Sequence, residues 1–282
     1  MKKETKTTKI ALKIVEIGFA VIFGILNLLP IFWGVVTSLK NPREINAFPP
    51  KILGFMPTLE HYKEILSSGF FRCIMNSVFY AALAILLGVL LGYLAGYGFA
   101  RRNFPLKKLA FFLIVVGIPL STGSSVLLIP NYMYLMNLKM ANHWYTMPLI
   151  YTAYNLPMAT WLLISGIKAV PGELEEAALI DGANQRYIVT RLIPPLVKPS
   201  IAAAALFIFI GAWNDYITAS VLVTGTDLKN IQMAIYDYMG FFGQEWGPLT
   251  ASATCAVIPI LLVFTFLGKQ LVSGLTAGAV KG

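Results

Sequence analysis

Six long apolar runs, separated by shorter polar ones, dominate the pattern along the chain. They cover residues 17–39, 73–100, 109–129, 142–167, 200–223 and 249–268. Each is about 20 residues or more, the length of α-helix that crosses a ~30 Å hydrocarbon layer. The pattern predicts an all-α polytopic membrane protein with six transmembrane helices. Its parts are a tail (1–16), a first span (17–39), an external loop (40–72), a core of five spans (73–268) and a C-terminal tail (269–282). Within the second run Gly88, Gly92 and Gly96 recur every four residues. They predict a helix face that another helix can approach closely. Gly117, Pro119 and Gly123 interrupt the third run, and Asn155-Leu156-Pro157 the fourth. Residues 62–71 read as a short interfacial helix.

One polar stretch, 171–199, stands out against this background. It holds four acids and three bases in under thirty residues. Pro171 can begin a helix but not sit inside one. Glu173, Glu175 and Glu176 fall in the first turn, where carboxylates meet the positive end of the helix dipole. Leu174, Ala177, Ala178 and Asp181 share a face. Gly182 supplies the left-handed residue that ends the helix. A second helix is expected from about Asn184 to Ile193, stopped by Pro194-Pro195. Such short helices are not stable alone in water. A structured, charged helix pair in a membrane protein is a surface for a soluble partner.

Composition narrows the class. The chain has 282 residues, 57% hydrophobic and 12% charged, with a mean hydropathy of +0.71. A soluble domain carries about twice that charge. The first run follows five lysines but is too long for a signal core, and no small-residue cleavage site follows it. The net charge of +9 reflects topology rather than nucleic-acid binding, because the basic residues sit at segment ends. With the N-terminus inside, fifteen of the 22 lysines and arginines lie in inner segments and seven in outer loops. That bias places both termini and the 171–199 segment in the cytoplasm. Cys73 and Cys255 lie in or beside apolar runs without metal-ligand spacing, as small packing residues do.

The residues of the polar stretch resemble a known family. Glu176-Ala177-Ala178, Asp181-Gly182-Ala183, Pro195 and Pro199 match the signature of binding-protein-dependent ABC importer permeases. Val189 and Pro194 depart from it. The resemblance runs over nearly the whole chain and is closest to carbohydrate permeases of the maltose type, the MalG-like half of the pair. Ser38-Leu39-Lys40, Asn76-Ser77, Phe99-Ala100-Arg101, Trp213-Asn214-Asp215 and the run from Gly274 to Gly282 also carry it. It implies a type I ABC importer permease fold and a coupling helix that docks on an ATPase. Glu176, Ala177, Ala178, Gly182 and Ala183 would carry the docking. Glu173 and Asp181 either join it or only cap and solvate the segment. Pro195 and Pro199 would join it to the fifth span. The implied partners are a second, MalF-like permease in a heterodimer, two ATPase subunits, an extracellular sugar-binding protein and membrane lipid. The chain itself would hold no cofactor, since ATP and magnesium would be bound by the ATPases.

Two readings remain for Trp213, Asn214, Asp215 and Tyr216. An indole can stack on a sugar ring while amide and carboxylate groups bond its hydroxyls; equally, a tryptophan and an acid can anchor a helix end at the interface. Tyr151, Tyr154 and Asn155 are further pathway candidates or plain helix packing. Gly278, Ala279, Lys281 and Gly282 would contact the ATPases, or form a loose end. A secondary transporter would show inverted repeats and several intramembrane ionisable groups, but Asp215 and Glu16 stand nearly alone. Only two histidines occur, with no H-E-x-x-H motif and no nucleotide-binding glycine-lysine loop. The expectation is a transport subunit that does not itself hydrolyse ATP.

Overall fold

The structure is a computed structural model describing residues 6–121, 127–240 and 243–279. In chain order the helices are α1 (Lys6–Ser38), α2 (Pro42–Ile45), α3 (Glu60–Ser67), α4 (Phe70–Arg101), α5 (Lys107–Ser121), α6 (Leu128–Asn137) and α7 (Thr146–Ala169). Next come α8 (Glu173–Ile180), α9 (Gln185–Tyr187), a π-helical turn (Ile188–Leu192), α10 (Ile193–Leu196), α11 (Lys198–Trp213), α12 (Ile217–Leu222) and α13 (Ile231–Tyr236). A two-stranded hairpin, β1 (Met239–Gly240) and β2 (Gly243–Gln244), precedes α14 (Trp246–Ala279). The chain divides into two compact units, Met1–Gly69 with Ile235–Val257, and Phe70–Ala234 with Ile258–Gly282.

In the first unit, α1 exposes large apolar side chains from Ile14 to Phe32, as a lipid-facing helix does. Its end is pinned to α3. Ser38 Oγ lies 2.7 Å from the Tyr62 hydroxyl, and His61 Nε2 lies 2.9 Å from the Lys40 carbonyl oxygen. The Lys40 ammonium sits 5.1 Å from the Trp33 ring centre and 5.5 Å from that of Phe55. Such contacts compensate a lysine that is 2% exposed.

In the second unit the glycine face of α4 does what its spacing predicts. A Cβ on Gly96 would stand 3.3 Å from the Ile164 backbone nitrogen, and one on Gly92 3.4 Å from that of Thr160. A Cβ on Gly88 would stand 2.7 Å from Ile208 Cδ1. So α4 lies backbone-close to α7 and side-chain-close to α11. The first turns of α4 also hold a loop: Asn76 donates to the carbonyls of Asp227 and Lys229, Tyr80 to that of Leu228, and Ser77 accepts from Ile231 N–H.

Several expected boundaries move. The fifth span does not run unbroken through 200–223: α11 ends at Trp213, and the chain turns before α12. The third span is described as α5 as far as Ser121, and residues 122–126 lie outside the described part. Pro194-Pro195 do not stop the second helix of the polar stretch; helical residues run from Gln185 to Leu196, with a π-helical turn just before the two prolines. The chain then bends by 78° into α11, which carries Pro199 in its own first turn. The interfacial helix is shifted to Glu60–Ser67. The C-terminal tail is helical as far as Ala279; Lys281 and Gly282 lie outside the described residues. Among the described residues, three helical stretches are long and apolar enough to cross a membrane alone: Leu12–Ser38, Phe70–Arg101 and Trp246–Gly268. At 16 residues, α11 falls short of the ~20 a straight crossing needs, but it passes together with residues 185–196 as one span bent by 78°.

Candidate functional site

The polar stretch folds into a short rod with closed ends. Glu173, Glu175 and Glu176 occupy the first turn of α8. At the other end Gly182 has φ +89°, and its N–H donates to Leu179 O at 3.1 Å while Ala183 N–H donates to Ala178 O at 2.9 Å. That pair of bonds is the Schellman closure, which only a left-handed residue permits at low cost. Asn184 then caps the next helix, its side chain accepting from Tyr187 N–H at 2.8 Å. Of the expected docking residues, Glu173, Glu176, Ala177, Asp181 and Gly182 are exposed, and Ala178 and Ala183 are half-buried. The helix buries none of its residues. It also presents two apolar groups not singled out from sequence, Ile180, 87% exposed, and Leu179, with the expected Leu174 exposed beside them. A conspicuous apolar knob between carboxylates is a surface built to be covered.

The rod is bolted to the body through one residue that motif reading missed. Glu175 accepts from Arg101 Nε at 2.5 Å and from the Tyr97 hydroxyl at 2.7 Å. Arg101 also donates to Val170 O at 2.7 Å, where α7 ends. Gln185 donates to the Tyr97 oxygen at 2.6 Å, and the Tyr93 hydroxyl to Val189 O at 2.6 Å. Tyr93, Tyr97 and Arg101 lie four residues apart on α4, so one stripe of that helix holds both ends of the rod. The Arg101 and Glu175 side chains are 18% and 12% exposed. At that depth an ion pair holds a fixed geometry, unlike exposed pairs. The signal available from sequence was Phe99-Ala100-Arg101 at the end of α4, but nothing in periodicity pairs it with a residue 74 positions away.

A second polar cluster forms at the break between α11 and α12. Asp215 accepts from Thr218 N–H at 3.1 Å, Ala219 N–H at 3.0 Å and the Tyr151 hydroxyl at 2.9 Å. Asn230 donates to Asp215 O at 2.6 Å. The carboxylate thus satisfies the free N–H groups that the break creates. Trp213 is 1% exposed, its ring stacked on Phe209 at 5.3 Å, so its indole packs the core rather than lining a surface. Asn214 is exposed and Tyr216 half-buried. Asn155 donates to Tyr151 O at 2.8 Å and lies over Gly211, where a Cβ would come within 2.6 Å of its Oδ1. Tyr154 accepts from Asn131 at 2.8 Å.

Helices packed through a glycine face, with an exposed, capped rod hung from the end of one of them, are the arrangement of an integral membrane transport component. Residues 88–276 match the family described as binding-protein-dependent transport system inner membrane component, and the chain belongs to that family. It is therefore a multi-pass inner-membrane transport subunit rather than an enzyme. The chain is 30% identical to the sulfoquinovosyl glycerol transport system permease protein SmoH of Agrobacterium fabrum, covering 91% of this chain and 90% of that one. It is 30% identical to the trehalose/maltose transport system permease protein MalG of Thermococcus litoralis, covering 93% and 95%. Its fold is that of a chain in the crystal structure of a bacterial ABC transporter that imports the acidic polysaccharide alginate (TM-score 0.78, 19% identity, 95% of this chain and 99% of that one).

Proposed function

We propose that the chain is one of two permeases in an ATP-driven carbohydrate importer, and that α8 is the element through which ATPase movement reaches the membrane helices. The observation that carries this is the Glu175 bridge: an exposed rod tied by a mostly buried ion pair to the end of α4 transmits a push instead of absorbing it. Ala177, Ala178 and Gly182 allow close approach of an ATPase cleft, Glu176 offers it a carboxylate, and Ile180 a hydrophobic plug. Glu173, Asp181 and Ala183 flank that surface, and Pro195 and Pro199 bracket the 78° bend that turns the push into α11. Nucleotide and magnesium are held by two ATPase partners, and a MalF-like permease completes a heterodimer with six crossings per chain and both termini inside. Gly278, Ala279, Lys281 and Gly282 are the tail residues that contact the ATPases.

The substrate is a sugar, delivered by an extracellular binding protein. What supports this is the set of sugar-transport relatives: besides the trehalose/maltose and sulfoquinovosyl glycerol proteins, the diacetylchitobiose uptake permease DasC of Streptomyces coelicolor is 29% identical. Asn214, Tyr216, Tyr154 and Asn155 are the groups of the break open enough to bond hydroxyls; Trp213 and Asp215 hold the break in shape until the helices move. The test is uptake of labelled oligosaccharide into proteoliposomes holding the full transporter. Uptake should require both ATP and the binding protein and survive collapse of a proton gradient. Uptake that runs without either and stops with the gradient would make the protein a proton-coupled carrier.

A further inference from the structure

Loops 40–72 and 224–248, external under the proposed orientation, contain a cavity of about 240 Å³ that the coupling account leaves unused. Its polar lining is Asn46, His61, Glu64, Gln244 and Glu245, with the indole of Trp246 as one wall. His61 is 4% exposed, and its ring sits directly on Gly247, where a Cβ would come within 2.2 Å of Cε1. Its Nε2 faces the Lys40 carbonyl oxygen at 2.9 Å. A carbonyl only accepts, so Nε2 carries the proton and Nδ1 presents a lone pair. That Nδ1 is buried with no hydrogen-bond partner among the described residues. The nearest polar atom recorded for it is Glu64 Oε2 at 3.8 Å, another acceptor. Two acceptors facing each other at that distance, one of them buried, leave an unmet demand for a donor. Glu245 adds a second carboxylate, and the Trp246 ring a face that attracts cations.

We propose that this cavity is a socket for a basic side chain, a lysine ammonium or arginine guanidinium, carried by the soluble binding protein when it docks. The inference rests on the importer reading. A cation of that kind brings several N–H donors into a space lined by Glu64, Glu245 and His61, the last of which has an Nδ1 without a donor. The cavity is too small for an oligosaccharide and suits one side-chain head. Its walls join the end of α1, through the Lys40 carbonyl, to the start of α14 at Gly247. An inserted cation therefore bridges two membrane helices at their outer ends and gives docking a way to be felt inside the membrane.

The experiment uses the complete transporter in nanodiscs, with ATP hydrolysis followed against binding-protein concentration. In Glu64→Gln/Glu245→Gln, half-maximal stimulation should need about three- to tenfold more binding protein, with the rate at saturation retained, and the salt dependence of wild type should flatten. Glu245→Lys should raise the requirement further, and a glutamate placed at the matching lysine or arginine of the binding protein should restore it. An unchanged half-maximal concentration in the double variant overturns the socket; that includes the case in which a doubly protonated His61 satisfies Glu64 by itself. Free arginine binding tightly to the transporter without binding protein, and lost in the variants, overturns the assignment to a partner side chain. The importer reading fails separately, if hydrolysis in wild type ignores the binding protein altogether.

Discussion

Glu175 is the side chain on which most rests, because it converts an exposed helix into part of a rigid body. Removing one member of a mostly buried ion pair leaves the other charge unmet and costs about 3 kcal/mol. Arg101→Met and Glu175→Gln should therefore each loosen α8 and cut sugar uptake per ATP hydrolysed, while hydrolysis itself continues. The double variant should do less harm than either single one, since it strands no charge. Uptake and phosphate release measured on the same proteoliposomes check this; loss of both in proportion would reduce the bridge to a folding role. Asp215 is the other such side chain. It accepts from two backbone N–H groups and one hydroxyl, so Asp215→Ala should destabilise the protein by about 2 kcal/mol or more, seen as a lower melting temperature in detergent. An unchanged melting temperature would show that the carboxylate is free for substrate instead.

Between helices, the distances around the glycines decide which substitutions matter. Gly96→Val would press side-chain carbons into the α7 backbone and cost about 1–3 kcal/mol, whereas a Cβ on Gly98 meets nothing within 4 Å, so Gly98→Val should change stability by under about 0.5 kcal/mol. The two lie on one helix two residues apart, so a difference between them measures packing rather than propensity. Gly182 poses a different problem. It has open space around it but φ +89°, so a Cβ costs about 1–2 kcal/mol through the backbone alone. Gly182→Val should lower coupled uptake, and Gly182→Asn, which tolerates that region, should recover much of it; equal activity of the two would mean that the Schellman closure is dispensable. Periodicity made the glycine face and both ends of α8 legible, because those are local facts. The break after Trp213 was not, since the α12 cap is formed by Asp215 only once Tyr151 and Asn230 come up from elsewhere in the chain. The same holds for the Glu175 bridge and for the burial of Trp213, whose neighbours are set by packing. Prolines 194 and 195 misled because the π-helical turn just before them lets the helix run on to Leu196.

The assembled transporter adds what one chain cannot show. The exposed apolar side chains of α1, the unburied α8 and the polar loops each face a different medium or partner, which is why a chain with so little charge concentrates seven charged residues between positions 171 and 199. Hydropathy made the membrane class readable in advance. It could not foresee the 78° bend before α11, because bends are set by packing as well as by composition. The account stands or falls on α8 being an inner-face handle. The direct measurement is thiol labelling and cross-linking of Glu176→Cys, in a chain whose Cys73 and Cys255 are replaced, within the full transporter in sealed vesicles. Labelling should occur from the cytoplasmic side alone, and a short cross-linker should join the thiol to the ATPase with a yield that changes between nucleotide-free and ATP-bound states. Labelling from the outer side, or a thiol that never reaches the ATPase in either state, would contradict it.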